Sequence, residues 1–241
     1  MRISIIVPAF NEERLLAGTL RAIAAAQRAF EERGWTGELI VCDNNSTDRT
    51  PEIARAAGAV VVFERFNQIA RARNSGAAAA SGDWLVFVDA DSQPSRELFV
   101  EVADQIASGR CLAGGCTVRL EEYHPKSAIA LRLWNCTSRA LHWMAGSFIF
   151  CETQAFRNIG GFSNELFAGE ELDLSRRLKK LARAERKRII ILHRHPILTS
   201  ARKVSLYTLG EHLVFLAKVI FSFGGALNSR AACHTWYDGR R

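Results

Sequence analysis

Two aspartates separated by one residue are the sharpest chemical signal in this sequence. Asp89 and Asp91 flank Ala90 directly after the apolar run at residues 84–88. If that run is a strand of a parallel sheet, the pair lies at the carboxyl end of the strand, where such sheets bind ligands. Carboxylates at this spacing can bind one Mg²⁺ or Mn²⁺ ion that also neutralises substrate phosphates, and Gln93 offers a third oxygen. A turn or helix cap is the alternative interpretation for an isolated Asp-x-Asp.

A second polar cluster follows the run at residues 38–42. Asp43 ends that run and opens the segment Asn44-Asn45-Ser46-Thr47-Asp48. A carboxylate at a strand end can accept a hydrogen bond from a nucleobase N–H, and the neighbouring polar side chains suit a ribose. Asp48 and Ser46 are better explained as a turn and a helix cap, whereas Asp43 is not. Pro8 ends the first apolar run, so we expect three strand ends to share one face.

The elements that position these residues alternate regularly in the first ninety residues. Apolar runs without polar alternation predict strands that are buried on both faces, and helical spacing of apolar residues predicts the segments between them. This alternation predicts βαβ units and a parallel sheet. The predicted strands are 3–7, 38–42, 59–63 and 84–88. Three helices are predicted between them. The first is capped by residues 11–13 and reaches Phe30, the second starts at Thr50-Pro51 and stops at Gly58, and the third covers 68–80.

The second part of the sequence predicts helices and strands without the regular alternation of the first part. No repeat, low-complexity segment or Gly/Ser linker interrupts it, so one continuous domain is expected. An irregular segment with Trp134 and Trp143 is expected in its middle. The predicted helices are 95–107, 170–184 and an amphipathic one at about 205–223; the predicted strands are 112–120, 147–151 and 188–192.

Composition limits the class of protein and its partners. The 241 residues are 48% hydrophobic and 24% charged, which excludes collagen-like, disordered and disulfide-stapled classes. A net charge of +7 favours anionic partners. The six cysteines form no Cys-x-x-Cys pair and are expected to be reduced, buried packing residues of a cytoplasmic protein. The short apolar run at the amino terminus predicts no signal peptide.

A basic segment precedes the predicted amphipathic helix. Residues 179–203 contain nine Lys or Arg and one acid. This pattern is typical of an element that lies on an anionic membrane surface, and equally of a core-packing helix beside a solvated charged face. The apolar stretch at 213–227 is too short to span a bilayer. The basic segment lacks interleaved aromatics, so nucleic acid is not an expected partner.

Six segments taken together resemble family 2 glycosyltransferases of the GT-A fold. They occur in the family's order and cover residues 3 to about 178: 5–13, 41–48, 72–76, 82–91, 160–162 and 169–178. The resemblance implies an α/β, Rossmann-like GT-A fold with a central mostly parallel sheet flanked by helices. It implies a domain at 1–203, with a nucleotide-sugar-binding half at 1–93 and an acceptor-binding half at 94–203, followed by an amphipathic helix and tail at 204–241.

The activity that the resemblance implies is inverting transfer of a sugar from a nucleotide-diphosphate donor to a glycan, lipid or other hydroxyl acceptor. By matching positions, Pro8, Phe10 and Glu12 would line the nucleoside pocket and Asp43 would hold the base. The Asp89-Ala90-Asp91 segment would bind the diphosphate and its Mg²⁺ or Mn²⁺ ion. Arg73 and Asn74 would flank the nucleotide from a helix, or lie on a solvated helical face.

The catalytic base is expected at the start of a helix. The family's Glu-Asp pair is matched by Glu170-Glu171, so Glu171 replaces the usual aspartate. Glu171 is the favoured base, and a shift of the base to Glu170 is the alternative. Acids in a first helical turn also stabilise the helix dipole without any catalytic role. Arg202 is a candidate diphosphate clamp, because a guanidinium binds paired phosphate oxygens, or part of a solvated basic loop. His193 and His195 are weaker candidates for metal ligands.

The sequence leaves two other functions open and disfavours a third. A polyprenyl-phosphate glycosyl transferase has an acceptor that is already anionic, so it needs no base. A non-catalytic sugar-nucleotide-binding module stays open because of the unusual Glu171. A dinucleotide-dependent oxidoreductase is disfavoured, because no Gly-x-Gly-x-x-Gly follows the first strand. The expected location is the cytoplasm, either soluble or peripheral on the cytoplasmic membrane face.

Overall fold

The computed structural model describes residues 1–121 and 125–202. The predicted helix at 205–223, the tail to residue 241 and Cys233 lie outside the described residues. The strands are β1 (Arg2–Ala9), β2 (Thr36–Asp43), β3 (Val60–Phe63), β4 (Trp84–Val88), β5 (Ser92–Gln93), β6 (Cys111–Leu120), β7 (Phe148–Glu152) and β8 (Arg188–Thr199). The helices are α1 (Leu16–Glu31), α2 (Thr50–Ala56), α3 (Ile69–Ala79), α4 (Arg96–Ala107), α5 (Pro125–Leu141), α6 (Thr153–Asn158) and α7 (Glu170–Ala184).

One sheet runs through the described part of the chain, in the order β3-β2-β1-β4-β7-β6-β8-β5. The first four of these strands are parallel, and so are β6 and β8, whereas β7 runs antiparallel to both of its neighbours. Ala9 pairs with Asp43, and Ile6 pairs with Phe87. The carboxyl ends of β1, β2 and β4 therefore meet at one edge, as the alternating pattern predicts.

The unbroken apolar runs reflect a sheet covered on both faces. Along β1, Ile3, Ile5 and Val7 face one core cluster with α1 and α4, whereas Ile6 faces the other cluster with α3, α6 and α7. A strand between two apolar layers has no solvent side and therefore no polar alternation. The mostly parallel α/β fold is confirmed.

The helix predicted to be capped by residues 11–13 starts later. Helix α1 begins at Leu16 with no acid in its first turn and no side-chain cap. The capping prediction was wrong because Asn11, Glu12 and Glu13 bond instead to the loop after β2 and to the first residue of α2. Their hydrogen-bonding groups are used between loops, so the chain turns into the helix only after they end.

The segment expected to be irregular is helix α5. Its Leu131 and Trp134 pack on the sheet, but Ile129 and Leu133 on the same helix are 75% and 68% exposed. Apolar residues on both sides of a helix blur the amphipathic pattern on which the prediction depended. The structure therefore corrects this segment to a helix.

Strand β8 continues past its predicted end at residue 192. Its register against β6 shifts from Cys116 opposite Leu192 to Val118 opposite Ile197, so residues 193–196 are accommodated as an irregularity around Pro196. Proline is tolerated in a strand at such irregularities, which is why it did not end this one. Asn135 of α5 stabilises the gap, because its side chain bonds both the N–H and the C=O of Val118.

The described cysteines are all free thiols. Cys42, Cys111, Cys116 and Cys151 are buried, as expected, but Cys136 on α5 is exposed, which corrects that part of the prediction. Within the described ranges, no helix is long and apolar enough to cross a membrane.

Candidate active site

The loops after β1 and β2 are tied together by side-chain hydrogen bonds. The N–H of Asn11 donates to Ser46 Oγ at 3.0 Å, and Asn11 Oδ1 accepts from the N–H of Thr47 at 2.8 Å. The N–H of Glu12 donates to Thr50 Oγ1 at 2.8 Å. Asn11 holds a left-handed φ of 51°, which asparagine tolerates better than most residues. The polar residues at the two strand ends thus build one rigid platform.

Pro8, Phe10 and Asp43, which the resemblance assigns to the nucleoside pocket, lie at this platform. Pro8 is buried opposite Cys42, and Phe10 follows β1 half-buried. Asp43 is buried, and its Oδ1 accepts the N–H of Ser46 at 3.0 Å. Asp43 therefore also makes a local turn, a role that the sequence analysis predicted for Ser46 and Asp48 only. Its contact with a base stays a prediction.

The predicted turn role of Asp48 is confirmed. Its Oδ1 accepts the N–H of Thr50, the first residue of α2, at 3.0 Å, and its Oδ2 accepts the N–H of Glu13 at 3.1 Å. Asn44 extends the platform on the other side, because its side chain bonds the carbonyls of Glu64 and Phe66 and the N–H of Gln68.

The aspartate pair lies at the carboxyl end of β4. The side chains of Asp89 and Asp91 are 19% and 11% exposed. The peptide between them is fixed because the carbonyl of the buried Ala90 accepts a hydrogen bond from Thr19 Oγ1 at 2.8 Å. Asp91 Oδ1 lies 3.4 Å from Thr199 Oγ1 at the end of β8. Both carboxylates are thereby held at one edge of the sheet while retaining some access to solvent.

Arg73 of α3 connects the aspartate pair to the start of α7. Its side chain is 1% exposed; one terminal nitrogen donates to Asp89 Oδ1 at 2.8 Å and the other to Glu170 Oε1 at 2.7 Å. The nitrogen bound to Asp89 also donates to the carbonyl of Gly146 at 2.9 Å. The guanidinium lies 5.1 Å from the centre of the Phe162 ring. Burial opposes the charge of Arg73, but the two carboxylates outweigh it and raise its pKa.

The two glutamates at the start of α7 differ in their environment. Glu170 is buried in the ion pair with Arg73. Burial raises the pKa of Glu171 to about 8, the charge of Glu170 adds to the increase, and Arg73 opposes it. A carboxylate with a pKa near neutrality is a stronger base than an ordinary one. The two acids therefore differ in their surroundings, and Glu171 stays the preferred prediction for the base.

Arg202, the last described residue, reaches back to the platform. Its guanidinium donates to both carboxylate oxygens of Glu12, at 3.0 and 2.7 Å, and lies 3.8 Å from Asp91 Oδ2. Glu12 is buried. The guanidinium thus lies between the loop after β1 and the aspartate pair, which is where a diphosphate would need positive charge.

Three side chains suggested by the sequence are engaged elsewhere. Gln93 lies in β5 and donates to Glu121 at 2.9 Å. Asn74 bonds the backbone of Phe162 through both atoms of its amide, so it fastens the loop before α7. His195 contacts Glu101 of α4 at 2.8 Å. Their roles toward a metal or nucleotide stay predictions without a supporting contact.

The site also contains groups that the sequence did not single out. The Gly146 carbonyl and the Phe162 ring complete the surroundings of Arg73. A Cβ at Gly146 would lie 3.1 Å from the Arg73 guanidinium, so a glycine permits the close approach. The Gly160-Gly161-Phe162 motif in the sequence could have indicated a role for Phe162. No motif in the sequence indicated a role for Gly146.

The carboxylates suit a hard divalent cation. In the parts of the chain that the structure covers, no group of three or more His, Cys, Asp or Glu could hold a metal alone. Two carboxylates at a partly exposed edge are the usual protein contribution to Mg²⁺ or Mn²⁺ bound together with substrate phosphates. The donor chemistry of Asp89 and Asp91 therefore fits such an ion.

Comparison with known proteins decides the family. The sequence pattern described as glycosyl transferase family 2 matches residues 4–158, which include most of β1, the aspartate pair and β7. The chain belongs to glycosyl transferase family 2. The family resemblance of the motifs is thereby confirmed, and the match ends before the two glutamates of α7.

Curated relatives match parts of this family 2 chain. It is 30% identical over 120 residues to an undecaprenyl-phosphate 4-deoxy-4-formamido-L-arabinose transferase of Pseudomonas paraeruginosa, covering 46% of this chain and 34% of that protein. It is 32% identical over 107 residues to the low-salt glycan biosynthesis hexosyltransferase Agl6 of Haloferax volcanii, covering 44% and 25%. The chain spans about a third or less of the length of these two relatives.

Solved structures confirm the GT-A fold. S. aureus TarS residues 1–349 align with a TM-score of 0.64 at 21% identity, over 98% of this chain and 68% of that one. The mannosyltransferase PcManGT of Pyrobaculum calidifontis, in complex with GDP-Man and Mn²⁺, aligns with a TM-score of 0.64 at 20% identity, over 90% and 64%. Glucosyl-3-phosphoglycerate synthase of Mycobacterium tuberculosis, in complex with Mg²⁺ and UDP, aligns with a TM-score of 0.63 at 19% identity, over 96% and 79%.

Proposed function

We propose that this family 2 protein transfers a sugar from a nucleotide-diphosphate donor to an acceptor hydroxyl, with inversion at the anomeric carbon. One observation carries the proposal: the buried guanidinium of Arg73 bonds Asp89 on one side and Glu170 on the other. The aspartate pair suited to a metal and diphosphate is thereby held beside the acids suited to activate an acceptor. The likeness to proteins solved with UDP or GDP-Man agrees with a nucleotide donor.

On the donor side, the platform of β1 and β2 would bind the nucleoside. Pro8 and Phe10 would contact the base or ribose, and Asp43 would accept from a base N–H. Asp89 and Asp91 would hold Mg²⁺ or Mn²⁺, which supplies neutralisation of the diphosphate charge when bound. Arg202 would add positive charge from the other side, exchanging its contact with Glu12 for phosphate oxygens.

On the acceptor side, Glu171 would act as the general base. It would take the proton of the acceptor hydroxyl while the acceptor oxygen forms a bond to the anomeric carbon. The bond from that carbon to the diphosphate oxygen breaks, and the nucleoside diphosphate leaves with the electron pair. Glu170 is the weaker candidate, because its carboxylate is buried in the Arg73 ion pair.

Paired variants of the two glutamates test the assignment. Glu171→Gln should lower transfer by roughly 10²–10⁴-fold while nucleotide binding stays close to wild type, because a positioned base contributes about that much. Glu170→Gln should weaken the Arg73 ion pair and lower thermal stability as well as activity. Transfer measured by donor turnover, with nucleotide binding by calorimetry, separates the two. A mild Glu171→Gln and a severe, stable Glu170→Gln would reverse the roles.

The pH dependence of transfer provides a second test of Glu171. Its pKa is raised to about 8, so its basic form increases as the pH rises through that value. We expect transfer under saturating donor to rise between about pH 7 and 8.5 in the wild type, and this rise to be absent in Glu171→Gln. The same rise in both proteins would assign the titration to another group.

Removal of one metal-binding carboxylate tests the donor side. Asp91→Asn keeps the size of the side chain but removes a negative ligand, so donor binding should weaken and lose its dependence on Mn²⁺. Asp104→Asn is the matched control, since its carboxylate lies on α4 and is 57% exposed. Calorimetric titration of UDP- and GDP-sugars with and without Mn²⁺ makes the comparison. Unchanged metal dependence in Asp91→Asn would remove that residue from the site.

A phosphate acceptor is the alternative within the same chemistry. The likeness to an undecaprenyl-phosphate sugar transferase favours it, although that match covers only 46% of this chain. An acceptor that is already anionic needs no base, so full transfer by both glutamate variants would favour this alternative. Donor binding without transfer to any acceptor would indicate a binding module instead.

We also propose a cytoplasmic location, with attachment to anionic membrane surfaces. The support is the basic segment 179–203, most of which lies on α7 and β8. Sedimentation with anionic vesicles should weaken as salt rises, because each Lys or Arg near the surface contributes about 1 kcal/mol that salt screens. Equal binding to neutral vesicles, or none to either, would contradict attachment through charge.

A further inference from the structure

A groove of about 620 Å³ lies between the C-terminal part of α5 and the first half of β8. We name it the α5–β8 groove. Its polar lining comes from Arg139 and His142 on one side and Arg188 and His193 on the other. None of the residues that line it belongs to the aspartate pair, the nucleoside platform or the two glutamates. Its volume is within the range of small-molecule sites.

The electrostatic character of the α5–β8 groove is one-sided. None of the described residues that line it is acidic. Among the described residues, neither Arg139 nor Arg188 forms an ion pair, in contrast to Arg73 and Arg202 at the active site. Two arginines and two histidines thus line one groove, with no carboxylate among its described lining residues. A guanidinium presents paired N–H donors that match the oxygens of a phosphate.

Three consecutive isoleucines of β8, residues 189–191, also line the α5–β8 groove. Because successive side chains of a strand point to opposite faces, Ile189 and Ile191 lie on one face and Ile190 on the other. Ile189 and Ile191 are each only 7% exposed, and Ile190 is half-buried. Apolar lining beside cationic groups suits a ligand that joins a phosphate to a hydrocarbon or sugar portion.

The groove is also fastened to the helix that carries the two glutamates. Lys179 of α7 donates to the carbonyl of Leu141 at 2.7 Å. The N–H of Met144 donates to Ser175 Oγ at 3.0 Å, and Ser175 Oγ donates to the carbonyl of Glu171 at 2.7 Å. The wall containing His142 is therefore held by α7 rather than being a loose loop end.

We propose that the α5–β8 groove is a binding site for a phosphate group carried by a ligand with an apolar or sugar portion. Arg139 and Arg188 provide the principal contacts to the phosphate oxygens. His142 and His193 donate further hydrogen bonds, and the apolar part of the lining contacts the rest of the ligand. A lipid phosphate and a soluble phosphate ester share this chemistry, and the experiment below distinguishes these two sources.

Cys136 provides a local measure of occupancy. It lines the groove and is the exposed thiol of the described residues, whereas Cys42, Cys111, Cys116 and Cys151 are buried. Alkylation by the neutral reagent iodoacetamide, followed by peptide mass spectrometry, reports its accessibility separately from that of every other cysteine. We expect phosphate ligands to slow alkylation of Cys136 in the wild-type chain. The probes are glycerol 3-phosphate for the soluble source and phosphatidylcholine vesicles containing phosphatidic acid for the lipid source.

A matched pair of double variants makes the test specific. Arg139→Gln with Arg188→Gln removes two charges from the groove, and Arg132→Gln with Arg194→Gln removes two exposed charges from the same two elements outside its lining. The first should raise the concentration needed to protect Cys136 by about tenfold or more, because hydrogen bonds to charged groups are strong. The second should leave it nearly unchanged. Circular dichroism establishes that both variants are folded.

Each outcome has a definite meaning. Protection by phosphatidic acid vesicles and not by glycerol 3-phosphate assigns a lipid phosphate; the reverse assigns a soluble ester. Equal weakening in the two double variants would show general attraction of anions and overturn the proposal. Absence of protection by both probes in the wild type would overturn it as well. Asp91→Asn should retain protection, so failure of the proposed sugar transfer and failure of this site are distinguishable.

Discussion

Replacement of Arg73 by methionine should destabilise the protein more than replacement of any arginine in a surface ion pair. Methionine retains an unbranched apolar side chain that can pack near Phe162, but it removes the charge that Asp89 and Glu170 share. Two carboxylates then lie side by side at the sheet edge without a cation. The stability lost in Arg73→Met is therefore electrostatic in origin and does not come from a loss of packing volume.

The expected size follows from the burial of this ion pair. Removal of one partner of a buried pair costs about 3–5 kcal/mol, because the remaining charge stays desolvated. For a chain of this size each kcal/mol shifts Tm by about 2–4 °C, so we expect a decrease of roughly 6–20 °C. The decrease should be smaller at about pH 4 than at pH 7. Carboxylates in general begin to bind protons at such a low pH, which reduces the uncompensated negative charge that destabilises the variant.

Thermal unfolding followed by circular dichroism at several pH values provides the assay. Arg96→Met is the control, since Arg96 pairs with Glu32 where both side chains are about half exposed. Exposed pairs contribute about 0–1 kcal/mol, so its Tm should change little. A loss in Arg73→Met no larger than in Arg96→Met would refute the view that Arg73 holds the site together. A large loss that is equal at both pH values would refute its electrostatic origin.

Three further substitutions have defined outcomes. Glu171→Gln should be more stable than the wild type at pH 8.5 but not at pH 4. Folding raises the pKa of Glu171 to about 8, so the wild-type protein loses stability as the pH rises from the unfolded-state pKa to that value. Urea unfolding at both pH values measures the difference. Gly76→Ala should lower stability by about 1–3 kcal/mol in the same assay, because the added Cβ would lie 2.5 Å from Ile6 Cγ2 in the core. Asn135→Leu should lower it by about 1–3 kcal/mol by leaving Val118 N–H and C=O without their partner, and hydrogen exchange at Val118 should become faster.

The sequence predicted the parallel half of the sheet because its strands leave no solvent face. Runs such as Ile3 to Val7 contact apolar layers on both sides, so residue type alone identifies them. The aspartate pair was predicted for a related reason. Its position directly after β4 places it at the sheet edge whatever the neighbouring loops do.

The connections between distant residues could not be predicted in this way. The pairing of Arg73 with Glu170 joins positions 97 residues apart, and no local pattern indicates it. Asn11 carried the residue type of a helix cap, but its groups are used by a loop more than thirty residues away. Helix α5 was missed because its exposed apolar residues contradict a simple amphipathic pattern. Local propensity identifies elements, whereas tertiary contacts decide which polar groups remain for other uses.

The interlocked loops after β1 and β2 have a consequence for the thermodynamics of ligand binding. Ordering one residue of a flexible loop costs about 1–2 kcal/mol of conformational entropy, and a site that forms only on binding incurs this cost with each ligand. In this chain the bonds from Asn11, Glu12 and Glu13 to residues 46–50 order both loops as the protein folds. A nucleotide arriving at this platform would find its contacts already arranged. Its affinity would then be limited by desolvation and charge, with little heat-capacity change from loop folding.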